Sequence, residues 1–373
     1  MGGERSAILV TSLPGHPTCQ ELIREAAADQ RPRRDYVELA RRLNADVIDR
    51  HWMHGRGFAA SRVLAERAGL PAGQVLEGFL RRGQYRHMLA WADRIGLPLA
   101  LLFKLARSRR DLALVSIWIS RGRKAVFVKR LHVQSHLSAV ITRTAQAEIA
   151  EDLGVPREKL HVWPQPVDDL FWRPLAREPR RMVCAVGWEA RDYPTLLAAV
   201  SGLDVDVELA VGSIALPEMA RGGHVDRAVK DLVTAPGARV RAAERRPNEL
   251  RTLYSEASVI VVPVEDVEFD AGVTAVTEAM AMAKPVVATA TRGLGDLFEH
   301  GREGLYVPPK DVRAMRAALD RLLGNPEEAR RMGRAGRALV ERRHRLDPGL
   351  DRLAAIVRGA DPQPPLSPTG SHR

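Results

Sequence analysis

In the second half of the sequence, short apolar runs alternate with segments of helical spacing, and this alternation constrains the fold more than any other feature. The apolar runs, each long enough for one buried strand, span residues 182–186, 205–211, 259–262, 285–289 and 305–307. Helical spacing is found between several of them, over Tyr193–Val200, 247–257 and 272–283. Strands separated by helices of about ten residues form right-handed βαβ units with a parallel sheet. The pattern therefore predicts a doubly wound α/β domain.

A helix near the end of this domain is marked at both of its termini. Asp311 is a typical N-cap residue, and Gly324 followed by Pro326 is a typical stop. Apolar residues recur between them at the spacing of one helix face: Val312, Met315, Leu319 and Leu322. We expect this face to be buried.

The first half follows a similar but weaker pattern. We expect strands at residues 7–10, 46–48, 112–119 and 139–141, with 139–141 as the last strand of its domain. The stretch 164–181 is rich in Pro and Arg, which is typical of a linker between domains.

These features together predict two doubly wound, Rossmann-like α/β domains that face each other across a cleft. The N-terminal domain is expected over residues 1–163 and the C-terminal domain over 182–345. A C-terminal helix over 346–360 and a flexible tail over 361–373 complete the chain.

Cysteine content and apolar run length exclude several classes of protein. The two cysteines, Cys19 and Cys184, allow at most one disulfide, so a reducing cytoplasm is the simplest setting. The longest apolar stretch, 95–105, contains Lys104 and is shorter than the roughly 20 residues that span a membrane. The N-terminus leads directly into the first expected strand and offers no secretory signal. The overlapping stretch 97–106 fits either a core helix or a helix lying on a membrane surface.

Positive charge is concentrated in one window of the first half. The 373 residues carry 57 Lys+Arg and 46 Asp+Glu, a formal charge of +11, and residues 81–130 hold 13 basic and only 2 acidic side chains. Such a cluster suggests a phosphate-bearing partner, an anionic membrane surface or a nucleic acid. A GC-rich genome would explain the 50 Arg against 7 Lys, but not the scarcity of acids in this window. We therefore favour a functional patch.

Residues 270–278 carry the most informative motif, in which Asp270 and Glu278 are separated by seven residues. Gly272, Val273 and Thr274 would form the first turn of a helix directly after strand 259–262. Free N–H groups and the positive end of the helix dipole at such a turn suit a diphosphate. Gly272 would allow close approach of the backbone, and Thr274 could donate from its hydroxyl. Glu278, one turn further, could accept hydrogen bonds from both hydroxyls of a ribose.

The motif resembles the acidic-x7-acidic element of the family 4 nucleotide-sugar glycosyltransferases, which have the two-domain GT-B fold. Further segments resemble the same family and extend the match over about residues 140–345: 162–168, 186–196, 247–254 and 301–308. The resemblance implies a retaining transferase in which Glu278 binds the ribose and Asp270 binds hydroxyls of the transferred sugar. The family more often has Glu at the position of Asp270, and the shorter side chain could shift the sugar preference.

The resemblance also implies a diphosphate clamp in the first loop of the C-terminal domain. Arg191 falls at the second basic position of that clamp, whereas Trp188 replaces the first. A turn at Gly187 would place Arg191 at the cleft, where its guanidinium would neutralise the leaving diphosphate. In the family the departing phosphate takes the acceptor proton, so neither a metal nor a catalytic base from the protein is required.

Candidates on the acceptor side are fewer. In the loop after the first strand, Gly15 could approach the donor phosphates and His16 could touch the acceptor or the sugar. His16 is equally compatible with a loop residue that has no catalytic role. Trp118 follows a middle strand where relatives often carry a histidine, and it fits either a core residue or a platform for the acceptor.

Other patterns indicate no cofactor. The histidine pairs 51/54 and 132/136 have helical spacing but lack nearby Cys or acidic partners, so we expect no metal site. Gly293 and Gly295 follow a strand without the third glycine of a dinucleotide-binding loop, which disfavours NAD. Two alternatives remain: a GT-B nucleotide-sugar epimerase or phosphorylase, and a nucleic-acid or anion-binding protein acting through residues 81–130. That window has few aromatic residues and no known nucleic-acid motif.

We therefore predict a retaining glycosyltransferase that moves a sugar from a nucleotide-diphosphate sugar to an acceptor hydroxyl. The donor is a co-substrate, and the acceptor is expected to be a small molecule or a lipid-linked, anionic one. The resemblance suggests bacterial natural-product or lipid-linked glycan synthesis. A cytoplasmic location with peripheral contact to an anionic membrane, and no nucleic-acid partner, fits this assignment.

Overall fold

The chain divides into two compact units, each made of discontinuous segments. The computed structural model describes residues 5–12, 15–116, 123–187, 189–213, 239–267 and 269–361. The first unit comprises Met1–Ile23, Arg34–Pro164 and Asp347–Arg373, and the second comprises Arg24–Arg33 and Gln165–Leu346. The short segment Arg24–Arg33 thus belongs with the second half of the chain, which the sequence did not predict.

The first unit is built on a parallel sheet of six strands in the order β2-β1-β3-β4-β5-β6. The strands are β1 Ser6–Leu9, β2 Ala45–Ile48, β3 His87–Ala90, β4 Asp111–Val115, β5 Ala139–Thr142 and β6 Leu160–Val162. The helices are α1 Cys19–Ala27, which ends in the second unit, α2 Asp35–Leu43, α3 Arg50–Arg56, α4 Ala59–Ala68, α5 Leu70–Arg81, α6 Asp93–Leu105, α7 Arg123–Lys129 and α8 Thr144–Asp152.

The first sheet departs from the sequence expectations in three places. The central strand β3 was not predicted, because it is only four residues long, begins with a histidine and has just three apolar residues of its own. Residues 139–141 do not form the last strand, since β6 pairs with β5 and extends the sheet by one position. The strand expected over 112–119 ends at Val115 as β4, and residues 117–119 lie outside the described part of the chain.

Helix α6 is a core helix. Ile95, Leu99 and Phe103 are fully buried against the sheet, whereas Leu105 at the C-terminal end is 73% exposed. The burial follows the helical spacing of the apolar residues. Of the two alternatives for the stretch 97–106, a core helix or a helix on a membrane surface, it favours the core helix.

The second unit contains the other parallel sheet, in the order β12-β11-β10-β7-β8-β9. Its strands are β7 Arg180–Val186, β8 Asp206–Ser213, β9 Arg239–Arg245, β10 Ala257–Val262, β11 Val286–Thr289 and β12 Gly304–Val307. Its helices are α9 Tyr193–Val200, α10 Pro247–Glu256, α11 Val273–Ala281, α12 Val312–Gly324 and α13 Pro326–Arg343, after which α14 Leu346–Val357 belongs almost wholly to the first unit.

Both faces of the second sheet are covered, which explains why most of its strands are rich in apolar residues. Along β7, Cys184 faces one hydrophobic core and Val183 faces the other. The neighbouring β10 follows the same alternation with Ile260 and Val259, which pair in register with those two residues. The predicted fold class, two doubly wound parallel α/β sheets, is confirmed.

Helix α12 begins as predicted. The Asp311 side chain accepts a hydrogen bond of 2.9 Å from the backbone N–H of Ala314, and the helix ends at Gly324. Met315 and Leu319 are buried, but Val312 is exposed and does not belong to the buried face. Val312 occupies the first turn, before the helix packs against the sheet.

Candidate active site

The strand order of the second unit creates a crevice between β7 and β10. Chain progression runs from β7 to β9 on one side and from β10 to β12 on the other, so these two strands mark the point where the winding reverses. Ligands of doubly wound sheets bind outside the carboxyl ends of the strands at such a point. A ligand site is therefore expected at the residues that follow Val186 and Val262.

The two loops that leave these strands are joined by backbone hydrogen bonds. The N–H of Asp192 donates to the carbonyl of Pro263 over 3.1 Å, and the N–H of Glu265 donates to the carbonyl of Ala190 over 3.0 Å. An antiparallel bridge between Arg191 and Val264 lies between these two bonds. The loop containing Arg191 is thus fixed to the loop that leads into helix α11.

Helix α11 begins at a glycine that no other residue could replace without strain. Gly272 is the N-cap residue with φ +89°, and a β-carbon there would lie 2.8 Å from Cγ1 of Val262. Val273 is buried, so only its backbone N–H could serve a ligand, whereas Thr274 is exposed. The first N–H groups of a helix have no partner within the helix, and its dipole is positive at this end. This terminus therefore has the chemistry to bind an anion.

Glu278 lies in the second turn of α11 and is half-buried. The hydroxyl of Tyr254, from α10, donates a hydrogen bond to its Oε2 over 3.3 Å. Tyr254 is completely buried, and this burial together with the nearby charge of Glu278 raises the pKa of the phenol well above its ordinary value. Sequence reasoning missed this contact, although residues 247–254 were noted as a family-like segment.

Asp270 lies in the loop before α11 and is half-buried. The loop around Gly293 packs against its backbone: a β-carbon on Gly293 would lie 2.4 Å from the carbonyl oxygen of Phe269 and 3.0 Å from Cα of Asp270. The role of Gly293 is therefore close packing behind Asp270. No sequence motif reveals this packing role, because only the glycine itself marks the position.

Arg191 is held by its own loop. Its Nε donates to the carbonyl of Val186 over 2.8 Å, and its Nη1 donates to the carbonyl of Glu189 over 2.7 Å. The guanidinium lies against Gly187, and burial lowers the pKa of Arg191 from its ordinary value. The Tyr193 hydroxyl also donates to the carbonyl of Gly187. The sequence motif placed Arg191 in this loop, but it did not predict these carbonyl contacts. Trp188 lies outside the described residues.

The acceptor-side candidates lie in the first unit. Gly15 is exposed with φ +74°, and the space where its β-carbon would stand is open. Nδ1 of His16 is 3.1 Å from the carbonyl of Pro17, and the His16 carbonyl is 2.8 Å from Nε2 of His51. Trp118 lies outside the described part of the chain.

Among the described residues, no group of three or more His, Cys, Asp or Glu side chains could hold a metal ion. Over the same ranges, no helix is both long and apolar enough to cross a membrane. Cys19 and Cys184 are both free thiols.

Comparison with known sequences shows which proteins this region is similar to. Residues 196–325 match the sequence model described as glycosyl transferases group 1. The chain is 29% identical to the MMP α-(1→4)-mannosyltransferase of Mycolicibacterium hassiacum, over 56% of this chain and 50% of the relative. It is 27% identical to the α-D-kanosaminyltransferase of Streptomyces kanamyceticus, over 59% of each chain. The chain thus spans between half and three-fifths of the length of these two relatives.

Solved structures share the fold over nearly the whole chain. Sucrose-phosphate synthase from Thermosynechococcus elongatus superposes with a TM-score of 0.69 at 18% identity, covering 95% of this chain and 98% of the other. HepE of Anabaena, in complex with UDP and glucose, superposes with a TM-score of 0.68 at 15% identity, covering 95% and 99%. At such identities the likeness shows the fold, which is the GT-B fold of two Rossmann-like domains.

Part of the candidate site falls inside the family match. Asp270, Gly272 and Glu278 lie within residues 196–325, whereas Gly187 and Arg191 precede them. The N-terminus of α11 and the half-buried carboxylate of Glu278 thus lie within the matched segment. Residues 196–325 are therefore similar to the group 1 glycosyltransferases, and they lie in a chain that has the GT-B fold.

Proposed function

We propose that this protein transfers a sugar from a nucleotide-diphosphate sugar to an acceptor hydroxyl, with retention of the anomeric configuration. The observation that carries the proposal is the position of the Gly272 terminus of α11, followed by Glu278, at the switch point between β7 and β10. The group 1 match covers this element, and HepE, which has the same fold, is described in complex with UDP and glucose.

In the proposed donor complex, the helix terminus and the loop after β7 share the diphosphate. The N–H groups of Val273 and Thr274 would donate to it, while Gly272 would allow its close approach. Arg191 would add a charge-assisted hydrogen bond after turning from its own loop carbonyls. Glu278 would accept from the ribose hydroxyls, and Asp270, before the helix, would accept from hydroxyls of the sugar.

The proposed reaction exchanges one C–O bond for another at the anomeric carbon. The bond to the diphosphate breaks, the acceptor oxygen attacks from the same face, and the acceptor proton passes to an oxygen of the departing diphosphate. Negative charge grows on that diphosphate in the transition state, where preorganised N–H groups and a guanidinium stabilise it most. The products are the glycoside and a nucleoside diphosphate, so the reaction balances without a cofactor.

The acceptor is proposed to be anionic or lipid-linked, because the basic excess lies in the first unit. Arg107, Arg109 and Arg110 are exposed just beyond α6, next to the protruding Leu105. A cationic cluster beside an exposed apolar side chain suits phosphate groups at a membrane surface. Of the other basic residues in this window, Arg121 lies outside the described residues, as do the side chains of Arg123 and Lys124.

Two relatives are named a mannosyltransferase and a kanosaminyltransferase, and both come from bacteria. We therefore place the donor sugar among hexoses and aminohexoses, and the pathway in bacterial natural-product or lipid-linked glycan synthesis. The proposed site of action is the cytoplasm or the inner face of the membrane.

The experiment is a thermal-shift and donor-hydrolysis screen of UDP-, GDP- and dTDP-sugars. We expect one nucleotide class to raise the melting temperature and to be hydrolysed slowly without acceptor. Glu278→Ala should abolish both effects. The proposal fails if no nucleotide sugar changes the melting temperature, and the site assignment fails if Glu278→Ala retains full activity.

A further inference from the structure

Helix α10 presents two buried polar side chains one turn apart, and each makes a contact outside the helix. Tyr254 donates its hydroxyl to Oε2 of Glu278 over 3.3 Å. Arg251, three residues earlier, is 8% exposed and donates through both terminal nitrogens to the carboxylate of Asp29, each over 2.8 Å. The contact with Glu278 is therefore made from a helix that is itself anchored.

The N-terminal half of α10 is fixed by that anchor. Nη1 of Arg251 also donates to the carbonyl of Phe171 over 3.1 Å, and the guanidinium lies 4.2 Å from the centroid of the Phe171 ring. Asp29 belongs to the segment Arg24–Arg33, which clusters with the second unit. A bidentate Arg–carboxylate pair fixes orientation as well as distance.

The C-terminal end of α10 is fixed by a buried lysine. Nζ of Lys284 donates to the carbonyl of Ser255 over 2.6 Å and to the carbonyl of Ala257 over 3.1 Å. Trp172 packs edge-on against the Tyr254 ring, with centroids 5.6 Å apart. The phenol of Tyr254 is thus held from both ends of its helix and from its ring, and its hydroxyl has a defined position.

We propose that Tyr254 is a positioning residue that fixes the carboxylate of Glu278 for the nucleotide ribose. The inference rests on the proposed role of Glu278 in binding the donor. A glutamate has three side-chain torsions, and a hydrogen bond from a rigid donor to one oxygen limits them before the ligand arrives. A donated hydrogen bond also favours the ionised carboxylate, which is the stronger acceptor for ribose hydroxyls.

The charged and titratable groups around Tyr254 are consistent with a permanent donor. Its hydroxyl contacts Glu278, and Cys184 and Arg191 are near enough to act on it electrostatically. Burial and the charge of Glu278 raise the pKa of Tyr254, so the phenol stays protonated at any pH at which the protein works. Burial likewise raises the pKa of Cys184, which keeps that thiol neutral.

The test is Tyr254→Phe, which removes one oxygen and keeps the ring packing. UDP is the first probe, with GDP and dTDP as alternatives, and binding is measured by calorimetry as a function of pH. We expect UDP to bind about tenfold more weakly, as for loss of a hydrogen bond to a charged group. When the pH is lowered, the variant should begin to lose UDP affinity at a higher pH than wild type, because Glu278 is protonated more easily without its donor. Protonation of UDP itself affects wild type and variant equally, so it does not contribute to the difference between them.

Two further variants make the result specific. Tyr85→Phe removes another hydrogen bond from a buried tyrosine to a carboxylate, the 2.8 Å bond to Asp46 in the first unit. This control should lose as much stability as Tyr254→Phe but should bind UDP as wild type does. Adding Tyr254→Phe to Glu278→Gln should cost no further affinity. If the Phe variant at 254 is too unstable to assay, Arg251→Lys loosens the same helix through a single ammonium and should weaken UDP binding.

The outcomes separate this inference from the proposed function. If Glu278→Gln weakens UDP binding but Tyr254→Phe changes neither UDP affinity nor the pH at which that affinity is lost on acidification, the positioning role is wrong. The proposed donor site then stands. Equal losses for the 85 and 254 variants would also overturn it, because they would indicate a general effect on stability. If Glu278→Gln leaves UDP affinity unchanged, the donor role of Glu278 fails and the inference fails with it.

Discussion

The guanidinium of Arg191 rests directly on the α-carbon of Gly187, where any β-carbon would overlap it. Gly187 has φ +110°, a conformation that side-chain-bearing residues rarely adopt. The loop after β7 therefore has a backbone conformation that leaves room for the Arg191 guanidinium. Two hydrogen bonds to backbone carbonyls hold that guanidinium against the loop. A change at Gly187 should disturb Arg191 without removing its charge.

Gly187→Ala is expected to weaken nucleoside-diphosphate binding about tenfold and to lower stability by about 1–3 kcal/mol, the usual cost of such backbone strain. Calorimetric titration with UDP and urea unfolding measure the two effects. Gly202→Ala is the matched control, since Gly202 also has positive φ but has open space around its β-carbon position. Equal losses of UDP affinity in both variants would contradict the link to Arg191.

Asp270→Ala should separate binding of the sugar from binding of the nucleotide. Because Asp270 is proposed to meet only the sugar, UDP affinity should change less than about twofold, which corresponds to about 0.4 kcal/mol. Affinity for the matching UDP-sugar should fall several-fold. Glu278→Ala should weaken binding of both ligands. A parallel loss of UDP affinity in Asp270→Ala would mean that the carboxylate serves the nucleotide or the loop instead.

The basic cluster after α6 is tested by replacing Arg107, Arg109 and Arg110 together with Ser. At about 1 kcal/mol for each basic residue near an anionic surface, binding to vesicles rich in anionic lipid should fall at least about tenfold, and its salt dependence should flatten. A triple Ser variant of the exposed Arg334, Arg342 and Arg343 makes the same change in net charge in the second unit. If vesicle binding and use of a phosphate-bearing acceptor both stay unchanged, the cluster reflects only base composition.

Lys284 should make stability depend on pH in the alkaline range. Burial lowers its pKa from 10.5 to about 8. Between these two values the unfolded chain binds more protons than the folded chain, so the contribution of this residue to stability rises with pH. The stability difference between wild type and Lys284→Met should therefore shift in favour of wild type from pH 8 to pH 10, by at most about 1.4 kcal/mol for each pH unit. Urea unfolding at each pH measures it, and a flat difference would contradict the shift.

The second sheet was largely predictable, because five of its six strands contain an apolar run of at least three residues. The exception is β9, where Arg239, Arg241 and Arg245 interrupt the pattern. As the edge strand it needs only one neighbour, and its arginines pair with Asp206 and Glu208 of β8. Such a strand is stabilised by pairing across the sheet, which a scan for apolar runs does not detect.

The candidate site was only partly predictable. Asp270, Gly272 and Glu278 lie close together in the sequence, so one motif revealed them. Tyr254 contacts Glu278 only because α10 and α11 both pack against strand β10, and its own sequence neighbourhood gives no sign of a polar role. Residues that act by contact across the fold leave no local pattern, whereas residues that share one turn do.

The segment Arg24–Arg33 carries a consequence for how this protein can be divided. Asp29 is bound by Arg251, and Arg33 donates to Asp168 from its backbone and its side chain. The chain enters and leaves the second unit twice, so neither unit corresponds to one uninterrupted stretch of the gene. A fragment beginning at Gln165 would lack the partners of Arg251 and Asp168 and would leave both of these buried charges uncompensated. Expression of the donor half alone should require the segment to be supplied as well, for instance as a fused peptide.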